Sequence, residues 1–229
     1  MTRVVFVDPY RWSKRWNHLC ASFWRKLRNP IFSAIESGDD AAVMRLAKKH
    51  GVHRSTNEFG QSPLCASIST GRTALVRELI QCGGMLPGDG SLALAAMNGN
   101  LDVVEALLEA GKSPDEALPS DEQAPGYTPL MWATNRKHLE VITRLLAAGA
   151  DVDAVAGNGT TAVMLTAKGD SASLEALKVL CVYKPDITKK DWRGRSLIRE
   201  ARDRDKFSGR PELKEILLRF YPETNFDEA

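Results

Sequence analysis

His50-x-x-His53 is the one close histidine pair in this 229-residue chain, and two imidazoles at short spacing are how many metal sites begin. Gly51 interrupts the pair at a predicted helix end, so the rings need not share a face, and no third or fourth ligand stands nearby. Gly88-Asp-Gly90-Ser91 has the glycines of a phosphate loop but lacks the following Lys-[Ser/Thr] and a strand–loop–helix setting. Turn glycines account for it better. The adjacent carboxylates Asp39 and Asp40 read as helix-start residues, where negative charge meets the positive end of the helix dipole. Cys20, Cys65, Cys82 and Cys181 show no Cys-x-x-Cys spacing and read as buried thiols in a reducing compartment. No Gly-x-Ser-x-Gly, His-Glu-x-x-His or spaced Cys–His pair is present. The expectation is a non-enzyme with no catalytic residue, metal or cofactor.

The elements that would position any site are written in a period. Six times a small residue is followed by a leucine that belongs to a second helix: Ala34/Leu46, Ser67/Leu79, Ala95/Leu107, Ala133/Leu145, Thr166/Leu180 and Ala201/Leu217. The spacings within pairs are 12, 12, 12, 12, 14 and 16, and the distances from one pair to the next are 21, 16, 26, 21 and 21. A unit of about 33 residues is the period of a stacked helical array. In such an array each helical hairpin buries its apolar face only by stacking on its neighbours.

The clearest unit opens with Gly126-Tyr-Thr-Pro-Leu130. Thr128 is suited to cap a short helix with Pro129 in its first turn. A second helix follows over His138–Leu146, with Leu139, Ile142, Leu145 and Leu146 on one face, and Gly149 ends it. Asn158-Gly159 then predicts a hairpin turn into the next unit. Gln61-Ser-Pro-Leu64 restates the opening, and Leu101-Asp-Val-Val-Glu-Ala-Leu-Leu-Glu-Ala-Gly111 restates the second helix. These units resemble the ankyrin repeat. The resemblance covers residues 31–221 and implies an all-α solenoid of about six helix-turn-helix units with hairpin-like fingers. The histidine that this family favours after Thr-Pro-Leu is absent; Cys65, Met131, Met164 and Arg199 stand there. The hydrogen bonds between units that it would supply must come from elsewhere or be missing.

The irregularities carry their own expectations. Gly83–Gly90 is a shortened, glycine-rich finger, whereas Lys112–Pro125 is a lengthened one that is predicted to be exposed, mobile and acidic. The spacings of 14 and 16 predict insertions between the helices of the last two units, the second at Lys206–Pro211.

The resemblance also implies where binding would lie: on a concave face built from finger tips and the exposed ends of the inner helices. Aligned on the motif, these positions are Phe59, Tyr127, Asn158, Trp192, Arg193 and Arg195 on the fingers, with Asn135 and Arg136 on an inner helix. Phe59, Tyr127 and Trp192 are predicted to be exposed tips. Tyr, Trp and Arg are the side chains that most often dominate protein interfaces. The implied function is capture of a protein partner without catalysis, in the manner of a stand-alone bacterial ankyrin protein. Its role would be to neutralise a toxin or enzyme, as an immunity protein does, or to act as an effector.

Residues 1–30 are set apart by charge. They carry seven Lys/Arg against Asp8, a net +6 in a chain whose total is +2. Residues 9–28 read as an amphipathic helix with Trp12, Trp16, Leu19, Cys20, Phe23 and Leu27 on one face and basic residues opposite. It would cap the stack or dock a partner. The alternative function is a peripheral membrane adaptor held by weak contact of Trp12, Trp16 and Phe23 with lipid. The division expected is a basic N-terminal segment at 1–30, repeats at 31–221 and a C-terminal tail at 222–229. Other expectations are a cytoplasmic monomer with a protein partner and no nucleic acid.

Overall fold

The computed structural model describes residues 29–51, 56–57, 60–118, 126–168, 170–208 and 211–226. The predicted helix at 9–28, with Trp12, Trp16 and Phe23, lies outside them, as do Cys20, His53, Phe59 and the acidic pair Asp121 and Glu122. Twelve α-helices occur among the described residues, and no strand. They form six hairpins of an inner and an outer helix. The first unit holds α1 (Pro30–Ser37), α2 (Asp40–His50), α3 (Pro63–Ser69) and α4 (Thr73–Gln81). A second compact unit begins at Leu92, one residue inside α5 (Ser91–Asn98). It continues through α6 (Leu101–Glu109), α7 (Pro129–Arg136), α8 (Leu139–Ala147), α9 (Ala162–Leu165), α10 (Ser171–Val182), α11 (Leu197–Ser208) and α12 (Glu212–Phe220). None of the described helices is long and apolar enough to cross a membrane.

The residues that write the period are the ones whose carbonyls close the helices. In the first four hairpins the backbone N–H five residues after the small residue returns to it: Asp39 to Ala34 at 3.0 Å, Arg72 to Ser67 at 3.1 Å, Asn100 to Ala95 at 3.2 Å and His138 to Ala133 at 3.0 Å. The leucines of the second, third and fourth hairpins do the same at the outer ends, with Gly84 returning to Leu79, Lys112 to Leu107 and Ala150 to Leu145. These bonds satisfy carbonyls that a helix end leaves orphaned. At the other end, Ser62 and Thr128 hydroxyls accept from the amides of Cys65 and Met131, with proline as the first helical residue. Asp39 caps α2 through the Ala42 amide at 2.9 Å, as helix-start chemistry requires.

Burial follows the same positions. In the first unit Leu64, Ile68, Leu75 and Leu79 are enclosed, and in the second Leu107, Leu130, Met131, Ile142, Leu145, Leu177 and Leu180. Leu46 of the opening hairpin is the exception and is only half-buried.

Links between neighbouring hairpins replace the missing histidine. Within the first unit, Arg72 at the start of α4 donates to the Ile35 carbonyl at 3.2 Å and the Gly38 carbonyl at 2.9 Å, and its guanidinium lies 2.9 Å from the Asp40 carboxylate. The Cys65 thiol, standing at the histidine position, donates to the Asp89 carbonyl at 3.4 Å. In the second unit, His138 takes the place equivalent to Arg72, and its Nε2 reaches the Met97 carbonyl at 3.2 Å.

Lys137, in a left-handed turn at φ 67°, pairs with Asp170, which caps α10 through the Ser173 amide. The Lys137 hydrogen bond, helped by that amide, lowers the Asp170 pKa from 3.8 to about 2. A carboxyl group whose pKa falls on folding stabilises the fold above its unfolded value and loses that contribution as pH drops through the folded one. Asp170→Asn keeps a capping side chain but removes the charge. The variant should melt below the parent at neutral pH, and the gap should close between pH 3.8 and about 2 in thermal unfolding curves.

Three expectations need correction. The start of the long finger is not exposed: Lys112 and Leu118 are buried, and Lys112 donates to Glu116 at 3.0 Å, so its charge is neutralised inside the turn. The extra residues of the last two hairpins lengthen helices: α10 and α11 have 12 residues each, against nine in α8 and eight in α7. Cys82 is exposed, whereas Cys65 and Cys181 are buried, and burial pushes the Cys181 thiol up to about 12. Near the C-terminal end Phe226 is buried beside the Lys214 ammonium, and the Tyr221 hydroxyl donates to the Pro185 carbonyl at 2.7 Å.

Candidate functional site

The second unit contains a cleft of about 200 Å³ between its fingers and its inner helices. Its apolar floor comes from Met164 and Leu165 of α9, Ala167, and Leu197 of α11. Its polar rim comes from Tyr127, Asn158, Thr160, Asp191, Arg195, Ser196 and Glu200. Three successive fingers and the inner helices of the last two hairpins therefore contribute to one depression.

Three fingers share one local device. The amide of the first residue donates to the carbonyl four residues on: Ala156 to Thr160 at 2.9 Å and Asp191 to Arg195 at 3.0 Å, with Asn57 to Gln61 the equivalent in the first unit. Each turn holds a glycine in the left-handed region, Gly159 at φ 77° and Gly194 at φ 69°. Gly159 is also required sterically, because a Cβ there would stand 2.9 Å from the Asp191 Cα. The Trp192 amide donates to the Asn158 carbonyl at 3.1 Å, so the tip of one finger is fastened to the next.

Asp191 is the internal clamp of the last finger. One carboxylate oxygen accepts from the Arg193 and Arg195 amides, each at 2.9 Å, and the other meets the Arg195 guanidinium at 2.7 Å and 2.9 Å. Burial alone would raise its pKa, but these hydrogen bonds and the Arg195 charge outweigh burial and lower it. Asp191 is therefore ionised at neutral pH and committed to holding the loop. Glu200 across the cleft is likewise engaged, by Arg204 at 3.1 Å. What remains for a visitor is an apolar floor rimmed by the Asn158 and Thr160 side chains and an Arg195 side chain that is 58% exposed.

The tip beyond this clamp is Trp192, 68% exposed, with the Arg193 guanidinium over its ring at 4.5 Å. An indole left in water by a loop so closely held by hydrogen bonds is unusual for a group of such large apolar area.

The predicted positions thus separate. Tyr127, Asn158 and Arg195 meet in the cleft, and Trp192 and Arg193 stand on the same finger as Arg195. Tyr127 is no exposed tip. It is half-buried, its ring 5.3 Å from that of Trp132 at 59°, because the inner helix of its own hairpin offers it an aromatic partner. Asn135 and Arg136 end α7 and do not line the cleft. Phe59 lies outside the described residues. The binding expectation omits Asp191, Ser196 and Glu200; the spacing Asp-x-x-Gly-x-Ser is the available signal for a clamped turn leading into a capped helix. His50 is an exposed helix-end residue, and no group of three metal-ligating side chains gathers among the described residues. Gly88 and Gly90 both take left-handed turns, and the Asp89 carboxylate between them accepts from the Leu86 and Ser91 amides.

A family model of ankyrin repeats in three copies matches residues 31–117 and 92–191. The chain is 30% identical over 151 residues to the ankyrin repeat and KH domain-containing protein mask-1 of Caenorhabditis elegans, covering 63% of this chain and 6% of that protein. It is 32% identical over 141 residues to the ankyrin repeat and SAM domain-containing protein 6 of Mus musculus, covering 57% and 16%. The chain therefore spans only a small part of these curated relatives. Among solved structures, an ankyrin repeat domain from Acinetobacter baumannii aligns with a TM-score of 0.71 at 21% identity, over 83% of this chain and 97% of the other. The ankyrin repeat domain of Bcl-3, a member of the IkappaB protein family, aligns with a TM-score of 0.68 at 24% identity, over 85% and 86%. These two likenesses concern the fold.

Proposed function

Because this chain belongs to the ankyrin-repeat family, whose fold is a protein-binding scaffold, we propose that its second unit captures a protein partner on the last fingers and the adjoining cleft. The observation that carries this reading is the Trp192–Arg193 tip, exposed on a loop that Asp191 and Asn158 hold in place. A recognition loop that is rigid before binding loses little conformational entropy on binding, and Trp and Arg contribute disproportionately to interface energy. The partner is held by occlusion and not changed chemically, as in the neutralisation of an enzyme or toxin by an immunity-type protein, or the engagement of a target by an effector. The protein acts as a cytoplasmic monomer, a setting in which the buried thiols of Cys65 and Cys181 stay reduced.

The test is quantitative capture from cells of the source organism, with the captured proteins identified by mass spectrometry. Trp192→Ala with Arg193→Ala should reduce recovery of the specific partner at least about tenfold, the loss expected for an interface hot spot. Because both side chains face solvent, the melting temperature should hardly change. Unchanged recovery by a folded double variant would remove the finger from the account.

A further inference from the structure

Resting on that reading, we infer that the segment received by the last finger is acidic, with a carboxylate side chain on Arg193 and Lys190 and a neighbouring apolar side chain in the cleft. The charge of the finger is lopsided. Lys189-Lys190-Asp191-Trp192-Arg193-Gly194-Arg195 carries four cations and one carboxylate. The carboxylate is used within the finger by Arg195, and Lys189 reaches back to the Asp153 carbonyl at 2.6 Å and carboxylate at 3.4 Å. Among the described residues no carboxylate pairs with Lys190 or Arg193, and both are exposed. The Arg193 guanidinium carbon lies over the Trp192 ring at 4.5 Å, and a guanidinium's N–H groups suit a planar bidentate acceptor. The Arg195 guanidinium, clamped along one edge by Asp191, adds a third positive group beside the cleft.

The floor supplies the second half of the specificity. Met164, Leu165 and Leu197 form an apolar base in a volume of about 200 Å³, room for a single apolar side chain and not a folded element. An extended segment with carboxylates flanking one apolar residue matches both features. A nucleic acid fits less well. Single strands need successive stacking rings along a basic groove. On this finger Trp192 is the single exposed ring, and two arginines of α11 are engaged with acids on their own helix, Arg199 with Asp203 and Arg204 with Glu200.

The experiment selects from a displayed library of random peptides on the full chain, then measures binding of an enriched, fluorescently tagged peptide. Enrichment of Asp or Glu beside an apolar residue is expected, with affinity that falls as salt rises. Arg193→Glu with Lys190→Glu should weaken the peptide at least about tenfold, as reversing charges in a complementary interface does. Trp192→Ala should weaken it too. Enriched peptides without acidic residues that still lose binding in Trp192→Ala would overturn the acidic assignment and leave the finger as the binding site. Peptides indifferent to Trp192→Ala and Arg193→Glu would overturn both, and failure of any peptide to enrich would overturn the acidic assignment alone. Tighter binding of a labelled single-stranded oligonucleotide, lost in Arg193→Glu, would replace the acidic peptide with a nucleic acid.

Discussion

Leu145→Ala should lower the stability of the folded chain by about 2–5 kcal/mol, the range for emptying a fully enclosed leucine site. Leu145 is wholly buried in α8. That outer helix packs on α7 of its own hairpin and on the outer helices α6 and α10 at either side. The cavity would therefore loosen two neighbour interfaces together. In a stacked array stability is close to a sum of hairpin and interface contributions, so damage in the middle also weakens coupling between the flanks. Urea unfolding followed by circular dichroism should show both a lower midpoint and a broader transition. Leu46→Ala is the internal comparison: its side chain is half-buried in the opening hairpin, and its loss should be clearly smaller. Equal losses at the two positions would contradict the assignment of the core.

Gly159→Ala should cost stability through backbone strain and, in addition, displace the last finger. A non-glycine residue held in the left-handed region costs about 1–3 kcal/mol. At Gly159 the added methyl also meets the Asp191 Cα at 2.9 Å and the Trp192 nitrogen at 3.2 Å, both backbone atoms that cannot rotate aside. The Trp192 amide should lose the Asn158 carbonyl, and the tip that carries Trp192 should move. Gly111→Ala separates the two contributions, because Gly111 has φ 91° but nothing within 4 Å of the place its new methyl would occupy. Both variants should melt lower than the parent, and only Gly159→Ala should also lose partner capture. If the two behave alike in capture, the finger–finger contact does not position the site.

The repeat was legible because its period rests on local chemistry. A small residue where the inner helix closes, a leucine where the outer helix closes and Ser/Thr-Pro at the start each answer a backbone requirement that recurs along the array. The links between hairpins were not legible. Arg72 and His138 occupy equivalent places but differ in type, and each finds carbonyls of a preceding hairpin only after folding brings Ile35 or Met97 within reach. Tyr127 was misjudged for a related reason. Its motif position marks a finger, but whether a finger aromatic faces water depends on its neighbour, and Trp132 covers this one. Trp192, by contrast, has Arg193 as its only ring contact among the described residues and stays exposed as expected. The burial of Lys112 shows the same limit, since the sequence displays its charge and not the Glu116 carboxylate that folding sets against it.

The most direct measurement is oxidative footprinting of Trp192 in the free protein and in the captured complex. A free side chain that is 68% exposed should be labelled readily, and the account predicts strong protection of Trp192 when the partner is bound, while exposed Phe207 at the end of α11 serves as a reference in the same spectrum. Trp192 labelled as fast in the complex as in the free chain would contradict the claim that the last finger holds the partner.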